Sequence, residues 1–272
     1  MSDELDLGAY FRRIGYGGPA RPDLATLAAL HARQVDAMPF ESLDPLLGRP
    51  VRLDAASLQA KLVGQRRGGY CFELNALFKA ALDAIGFAVT GLGGRVRWMS
   101  PPAAPLGARS HMLLKVDLPE GPYLADVGFG GHLLDAPLRL AVGLEQTTPA
   151  GRYRLELQND LHALQVSTGG DWRCAYVFNL EPQLPADYAV ANWFTSTHPE
   201  VLFTSTLLAE RLTEGARYNL VNARLTETPR GGPASERMLA SPAEFGEALE
   251  GLFGVAPPAP IGEIFAKVTA TA

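Results

Sequence analysis

Residues 66–75 read RRGGYCFELN and lead directly into an apolar stretch that ends at Gly86. From Cys71 onward, apolar side chains recur at helical spacing and cover nearly the whole circumference. Gly68 and Gly69 allow backbone conformations closed to other residues, so they can deliver the chain straight into a helix. This stretch predicts a buried helix that starts at Cys71 and stops just before Gly86.

The position of Cys71 suggests chemistry as well as packing. A helix N-terminus is electropositive, so a thiol there is biased towards thiolate, the form that attacks carbonyl carbon and can leave again. Cys71 is a candidate nucleophile, although most free cysteines are inert, buried, small apolar residues. Cys174 alternates with aromatic residues along a predicted strand, and we expect it to be an ordinary buried residue. Two cysteines in 272 residues do not form a disulfide framework.

A nucleophilic cysteine needs a base, and the base needs a group that orients it. His111 opens a predicted strand, and Asp126 lies on the next one. In a hairpin centred between Glu120 and Gly121 the two share a face but stand about 13 Å apart, so a bulge or a shifted register is required. A capping histidine and a solvated aspartate are the alternatives. The other histidines are expected on a helix surface, in loops or on an ordinary strand: His31, His132, His162 and His198.

The composition narrows the class of protein. Of the 272 residues, 47% are hydrophobic and 19% are charged, which is typical of a folded protein and excludes disordered, collagenous and coiled-coil classes. The net charge of -5 gives no general attraction to nucleic acid or anionic membranes. Acidic residues stand at the N-terminus where a signal peptide has basic ones, so we expect no signal peptide, and no apolar run is long enough for a membrane span. We expect a cytoplasmic protein without nucleic-acid or membrane partners.

Helical spacing predicts further helices on both sides of the central region. Asp23 and Ser241 are candidate N-caps, whereas Pro39, Gly64 and Gly254 end helices. The predicted helices span residues 24–38, 54–64, 185–194 and 242–253.

After Gly86 the apolar period changes to two, which predicts short strands. These span residues 87–90, 95–99, 111–118, 123–129, 152–158, 161–167 and 172–179, followed later by 207–212 and 218–226. Residues 229–233 are predicted to be a flexible linker from strand to helix, and residues 255–260, VAPPAP, to be irregular. Successive short strands favour a small antiparallel barrel or sandwich in the middle of the chain.

Several motifs, in this order and at these separations, closely resemble those of the arylamine N-acetyltransferases. They are RRGGYCFELN at 66–75, HMLLKV at 111–116 and LADVGFGG at 124–131, supported by YFRRIGY at 10–16, MPFESL at 38–43 and LGGRV at 92–96. The resemblance is specific from residue 10 to about residue 140, and no diagnostic motif follows. Ser42 departs from it, because asparagine commonly follows the PFE run in that family.

The resemblance implies an α+β multidomain fold with a cysteine-protease-like catalytic core. Residues 1–86 would form an N-terminal helical bundle that carries the nucleophile, and residues 87–198 a central antiparallel β-barrel that carries His and Asp. Residues 199–272 would form a C-terminal α/β lid.

The same resemblance implies a mechanism. The nucleophile falls on Cys71, the general base on His111 and the orienting carboxylate on Asp126, while a structural ion pair falls on Arg67 and Glu41. The implied activity is acetyl-CoA-dependent N-acetylation of arylamines and arylhydrazines, with a ping-pong order and an acetyl-cysteine intermediate. Acetyl-CoA is the co-substrate. No metal is expected, because the cysteines and histidines are dispersed along the sequence.

Candidate binding residues surround these positions. Phe40, Val96 and Phe129 could form the apolar wall for an aromatic ring, although core packing explains Phe40 and Val96 equally well. The loop after Asp126 could let its backbone approach coenzyme A closely, although such loops are more often simple turns. Its glycines are Gly128, Gly130 and Gly131.

Other functions use the same groups. A cysteine hydrolase of the papain or transglutaminase kind has the same three residue types in the same order. An amide synthase related to the acetyltransferases is a second alternative. A non-catalytic binding protein would leave Cys71 with ordinary reactivity towards iodoacetamide.

Overall fold

The computed structural model describes residues 5–101 and 103–270. Its N-terminal part is helical, its middle part is an antiparallel sheet, and its C-terminal part combines a second antiparallel sheet with helices. The fold is therefore of the α+β class that the resemblance implied.

The N-terminal part packs its helices around the predicted buried helix. Its elements are α1 (Leu7–Ile14), α2 (Leu24–Ala37), β1 (Phe40–Glu41), α3 (Leu43–Leu46), α4 (Ala55–Leu58), which continues as a π-helix over Gln59–Gly64, and α5 (Cys71–Ile85). The Asp23 carboxylate caps α2 by accepting the Thr26 N–H at 2.8 Å. Gly86, with φ +99°, ends α5 as predicted. Helix α5 packs on the sheet that follows it, which places its N-terminus beside the strands.

The central sheet is an almost closed barrel. Its strands are β2 (Ala88–Val96), β3 (His111–Leu118), β4 (Gly121–Ala125), β5 (Leu138–Arg139), β6 (Glu145–Thr148), β7 (Gly151–Gln158), β8 (Leu161–Thr168) and β9 (Asp171–Phe178). Within the described residues their order is β5-β4-β3-β2-β9-β8-β7-β6. The two edges meet where the Gln146 amide accepts the Arg139 N–H at 2.7 Å and donates to its carbonyl at 3.0 Å. Of the two predicted architectures, the structure has the barrel.

One strand replaces two predicted ones at the start of the barrel. Residues 87–90 and 95–99 were expected to be separate strands because glycines lie between them, but β2 runs through unbroken. The glycines are needed because helix α6 (Pro185–Thr197) and the residues just before it lie against this strand. A Cβ on Gly91 would lie 2.5 Å from the Tyr188 hydroxyl, and one on Gly93 3.2 Å from Gln183. These glycines make room for packing rather than a turn.

A bulge overturns the expectation for Cys174. Opposite Leu164 and Gln165 the register of β9 shifts, so that Gln165 pairs with Cys174 and Leu164 pairs with Tyr176. Cys174 and Tyr176 therefore face opposite sides of the barrel, although they are two residues apart. Tyr176 is fully buried, whereas Cys174 is only half-buried.

The C-terminal part differs from the prediction in its turns. Its elements are a 3₁₀ turn at Leu202–Thr204, β10 (Leu208–Leu212), β11 (Ala216–Val221), β12 (Arg224–Pro229), β13 (Ser235–Met238), α7 (Pro242–Glu247), which continues as a π-helix over Ala248–Leu252, and α8 (Ile261–Ala270). The strand predicted over residues 218–226 is a hairpin, because Asn222 takes a left-handed conformation with φ +53°. Residues 229–233 connect two strands and do not lead into a helix. Helix α8 was not predicted.

The second sheet joins distant parts of the chain. Strand β1 pairs with β10, so Phe40 lies opposite Glu210 and Glu41 opposite Ala209. This N-terminal strand therefore belongs to the C-terminal sheet. The predicted domain boundaries after residues 86 and 198 stay predictions. In the described part of the chain, no helix has the length and apolar character that crossing a membrane requires.

A buried charge cluster supports the segment that leads into α5. Arg67 donates from Nε and Nη2 to Glu41 Oε1 at 2.9 and 2.6 Å, and lies 3.3 Å from the Asp44 carboxylate. Lys61 Nζ lies 2.6 Å from both Asp44 and Glu73. The implied contact between Arg67 and Glu41 is therefore present, and it belongs to a larger network.

Replacing Arg67 by methionine tests how much this network contributes to the free energy of unfolding. Arg67→Met leaves the Glu41 carboxylate buried without its main partner, which should lower the free energy of unfolding by about 3–5 kcal/mol in urea denaturation. The matched control is Lys79→Met, which breaks an exposed pair with Asp83 and should change the free energy by less than about 1 kcal/mol. Equal effects of the two substitutions would contradict a structural role for the buried pair.

Candidate active site

Cys71 is the first residue of α5 and is almost completely buried, with 4% of its surface exposed. The residue before it is held in place because the Tyr70 N–H donates to Glu73 Oε2 at 3.1 Å. The Cys71 thiol lies against the Ser110 carbonyl oxygen at 3.6 Å. The thiol is thus at the point where the helix meets the loop before β3.

His111, the first residue of β3, lies beside this thiol. Its Nε2 is 2.7 Å from Asp126 Oδ2, and both side chains are buried. The imidazole is also within hydrogen-bonding reach of the Cys71 thiol. Because Nε2 faces Asp126, Nδ1 is the ring nitrogen left for the thiol. The structure therefore brings together the three residues singled out in the sequence.

A shift in the pairing register of β3 and β4 brings Asp126 close enough to contact His111. Strands β3 and β4 pair with Leu118 opposite Gly121 and Leu114 opposite Ala125, so the turn lies one residue earlier than the prediction assumed. Asp126 comes directly after the last paired residue, and continued pairing would place it two residues from His111 instead of four. The chain leaves the ladder there, which frees the carboxylate to turn towards the imidazole.

Asn75 is the last residue of the motif RRGGYCFELN, and it belongs to the site although it was not predicted to. Its Nδ2 donates to Asp126 Oδ1 at 3.0 Å and to the Met112 carbonyl at 2.8 Å, and its Oδ1 accepts the Val127 N–H at 3.1 Å. Asp126 Oδ1 also accepts the Gly128 N–H at 3.0 Å. One signal was available in the sequence: Asn75 lies one helical turn after Cys71, on the same face of a buried helix.

The prediction for His31 was wrong. It was placed on a helix surface, but it is fully buried in α2 and packs edge-on against Phe78, with ring centroids 5.7 Å apart. Its Nε2 accepts the backbone N–H of Asp126 at 3.2 Å. Helical spacing gave no signal for this contact, because it depends on where a turn of the barrel meets α2.

The two histidines beside Asp126 have opposite charge preferences. Burial alone would lower the pKa of His111, but the carboxylate of Asp126 outweighs it and raises this pKa to about 10. Burial likewise opposes ionisation of Asp126, and the facing His111 together with its hydrogen bonds keeps the pKa of that carboxyl below its usual value. For His31, burial dominates and lowers the pKa to about 4. His111 is therefore charged and His31 neutral near neutral pH.

The predicted aromatic-wall residues lie at different depths. The Phe129 ring is 5.2 Å from His111 and 5.1 Å from Tyr176, centroid to centroid, so it borders the reacting groups. Phe40 is buried, and its ring lies 6.0 Å from that of Phe203. Val96 stands at the end of β2 with 37% of its surface exposed. Phe129 is the one in direct contact with the imidazole.

Each glycine of the loop after Asp126 has a neighbour that a side chain would strike. A Cβ on Gly128 would lie 2.9 Å from both Cys71 Cα and Asn75 Nδ2. One on Gly130 would lie 2.4 Å from the Phe40 ring, and one on Gly131 2.6 Å from Trp98. Close packing against the site explains why these positions are glycine, and a role in binding coenzyme A stays a prediction. Among the described residues, no cluster of three or more His, Cys, Asp or Glu side chains could hold a metal ion.

A buried thiol, an imidazole and a carboxylate at the junction of a helix and a barrel are groups that cysteine-dependent acyl-transfer enzymes use. Residues 23–258 match the sequence profile of an N-acetyltransferase family. The arylamine N-acetyltransferase of Mycolicibacterium smegmatis is 44% identical over 92% of each chain, and that of Escherichia coli (strain K12) is 41% identical over 92% of this chain and 88% of the relative. The chain belongs to the arylamine N-acetyltransferase family.

Solved structures agree with this assignment. The arylamine N-acetyltransferase of Mycobacterium marinum in complex with CoA has a TM-score of 0.94 and 39% identity, and the match covers 98% of this chain and 100% of that one. The M. smegmatis enzyme has a TM-score of 0.92 and 42% identity, with coverage of 96% and 98%.

The raised pKa of His111 predicts how stability depends on pH. An unfolded histidine titrates near pH 6.5, whereas the folded pKa is about 10, so between these values the folded state binds the extra proton. The contribution to the free energy of unfolding is complete below about pH 6.5 and is lost as pH rises towards 10, by at most about 1.4 kcal/mol per pH unit. Urea denaturation at several pH values measures this.

The variant His111→Gln is the control for this titration. It cannot carry the proton, so the difference in unfolding free energy between parent and variant should shrink as pH rises. A difference that stays constant across this range would contradict a charged His111.

Proposed function

We propose that this protein transfers the acetyl group of acetyl-CoA to arylamines and arylhydrazines through an acetyl-Cys71 intermediate. The observation that carries the proposal is the 2.7 Å contact between His111 and Asp126 beside a thiol at a helix N-terminus. In this proposal Cys71 is the nucleophile, His111 the proton carrier and Asp126 the group that orients and charges the imidazole. Membership of the family supports the assignment.

Electrostatics prepares the thiol for attack. Asp126 favours the imidazolium form of His111, and an imidazolium beside Cys71 stabilises its thiolate, as does the N-terminus of α5. Burial of all three side chains strengthens these interactions, because few water molecules can screen them.

In the first half-reaction, the Cys71 thiolate attacks the thioester carbonyl carbon of acetyl-CoA. The carbon–sulfur bond to coenzyme A breaks, and the departing thiolate takes a proton from His111. In the second, the amine nitrogen attacks acetyl-Cys71, His111 accepts the amine proton, and Cys71 leaves again as thiolate. An arylamine is uncharged at neutral pH, so it needs no strong base to become a nucleophile.

The candidate residues for binding the acceptor and coenzyme A lie around these three side chains. Phe129 borders the imidazole and is suited to contact an aromatic acceptor, with Phe40 and Val96 as further candidates. We propose that coenzyme A approaches the backbone at Gly128, Gly130 and Gly131. The structure of the M. marinum relative in complex with CoA supports coenzyme A as a ligand. We propose cytoplasmic action without metal, nucleic acid or membrane.

Acetylation of the protein itself tests the nucleophile. Mixing with acetyl-CoA alone should add one acetyl group, which intact mass and peptide mapping should place on Cys71. Cys71→Ala should abolish both acetylation and turnover, whereas the control Cys174→Ala should keep both. Release of coenzyme A before the amine binds should also give parallel double-reciprocal plots.

Other results would overturn the assignment. Acetyl groups found only on Cys174 or on lysine would exclude Cys71 as the nucleophile. Intersecting double-reciprocal plots would mean direct transfer in a ternary complex. Loss of the acetyl group to water as fast as to the amine would favour a hydrolase.

Removing the charge of Asp126 tests the proposed proton carrier. Asp126→Asn should lower kcat by about a hundredfold or more, because an amide favours the wrong tautomer of His111 and cannot hold the imidazolium. In the parent, iodoacetamide should alkylate Cys71 rapidly even at acid pH, where an ordinary thiol is almost fully protonated. The variant should lose this acid plateau.

A second aspartate of the same hairpin provides the control. Asp117→Asn changes an exposed residue of β3 that pairs with Lys115, and it should leave kcat and the alkylation profile as in the parent. A parent-like profile in a folded Asp126→Asn protein would remove Asp126 from the site and leave Cys71 and His111 as a pair.

A further inference from the structure

The backbone of Asp126 has a hydrogen-bonding need that the barrel does not meet. Pairing between β3 and β4 ends with Leu114 opposite Ala125, so the next N–H has no partner in the ladder. That N–H is buried, and a buried donor without an acceptor is unfavourable. Its acceptor is the Nε2 atom of His31, at 3.2 Å, on helix α2.

Only a neutral imidazole can accept this hydrogen bond. Accepting at Nε2 requires the proton to be on Nδ1, because a doubly protonated ring has no lone pair to offer. Burial keeps His31 in that form by lowering its pKa to about 4. The neighbouring titratable group is Asp126 itself, which opposes this shift. His31 therefore accepts from Asp126 at neutral pH.

Core packing alone does not account for a histidine at this position. The imidazole is fully buried against Phe78, and its Nδ1 has no hydrogen-bond partner among the described residues. If packing were its only role, an apolar side chain would fill the same space without an unpaired Nδ1 atom of its own. Within residues 5–101 and 103–270, the hydrogen bond that the imidazole makes goes to the residue whose carboxylate faces His111.

We propose that His31 is a positioning residue for the reaction: by accepting the Asp126 N–H, it holds the turn in which the Asp126 carboxylate faces His111. This inference rests on the proposed function, since it assigns His31 a role through Asp126. The two ends of Asp126 are then held separately, the backbone by His31 and the carboxylate by Asn75 and Gly128. His31 itself touches neither thiol nor substrate in this scheme.

The variants His31→Leu and His31→Gln test the proposal. Leucine fills the space but leaves the buried Asp126 N–H without an acceptor, so kcat should fall about tenfold to a hundredfold. The KM for acetyl-CoA should stay within about twofold. Glutamine places an oxygen near the former Nε2 position and should recover much of kcat.

Alkylation of Cys71 by iodoacetamide provides a readout that packing alone would not move. In folded His31→Leu protein, the acid plateau of the alkylation rate should decline, because a misplaced Asp126 no longer charges His111. The matched control is Gln34→Leu. Gln34 is one turn further along α2 and equally buried, but it bonds to Tyr10 and to the Leu74 carbonyl instead of the Asp126 turn. It should keep the plateau.

The outcomes distinguish a failure of the role of His31 from a failure of the proposed function. A parent-like plateau and kcat in folded His31→Leu would overturn the role of His31 while leaving the proposed function intact. The same loss in Gln34→Leu would also overturn it, since general loosening of α2 would then explain the effect. A parent protein without an acid plateau and without acetyl-Cys71 would overturn the proposed function, and this inference with it.

Discussion

The side chain of Asn75 joins the helix that carries the thiol to the turn that carries the carboxylate. It donates to Asp126 and to the Met112 carbonyl, and it accepts from Val127, so one amide connects α5 with β3 and with the turn after β4. All of these groups are buried, and leaving any of them unpaired costs about 1–3 kcal/mol. The relative position of Cys71 and Asp126 therefore depends on a side chain that takes no part in proton transfer itself.

The two histidines beside Asp126 differ in protonation state. His111 faces the carboxylate of Asp126 and is charged, whereas His31 faces the backbone N–H of the same residue and is neutral. Both imidazoles are buried, which lowers their pKa, but only for His111 does the facing carboxylate outweigh burial and raise the pKa. A separate group of buried charges lies near the start of α5. There Lys61 pairs with Asp44 and Glu73, and Arg67 pairs with Glu41.

Local patterns predicted elements well where a strong period or cap was present, and poorly where glycine had two explanations. Helix α5 begins at Cys71 as predicted, because its apolar period and its terminal glycine are both local signals. Gly91 and Gly93 were interpreted as a break, yet they lie within one strand to admit Tyr188 and Gln183 of a distant segment. A glycine that relieves a long-range contact looks the same in sequence as one that makes a turn.

For the site, local sequence was sufficient to locate Cys71 at a helix start and His111 at a strand start, because glycines, apolar period and strand alternation are properties of neighbouring residues. Only the tertiary structure decided that Asp126 reaches His111, since this depends on a hairpin turn that lies one residue earlier than predicted and so shifts the strand pairing by two residues. The same holds for His31, whose role depends on α2 packing against a turn far along the chain. Register and packing between distant segments are set by the whole core, and no short stretch of sequence carries that information.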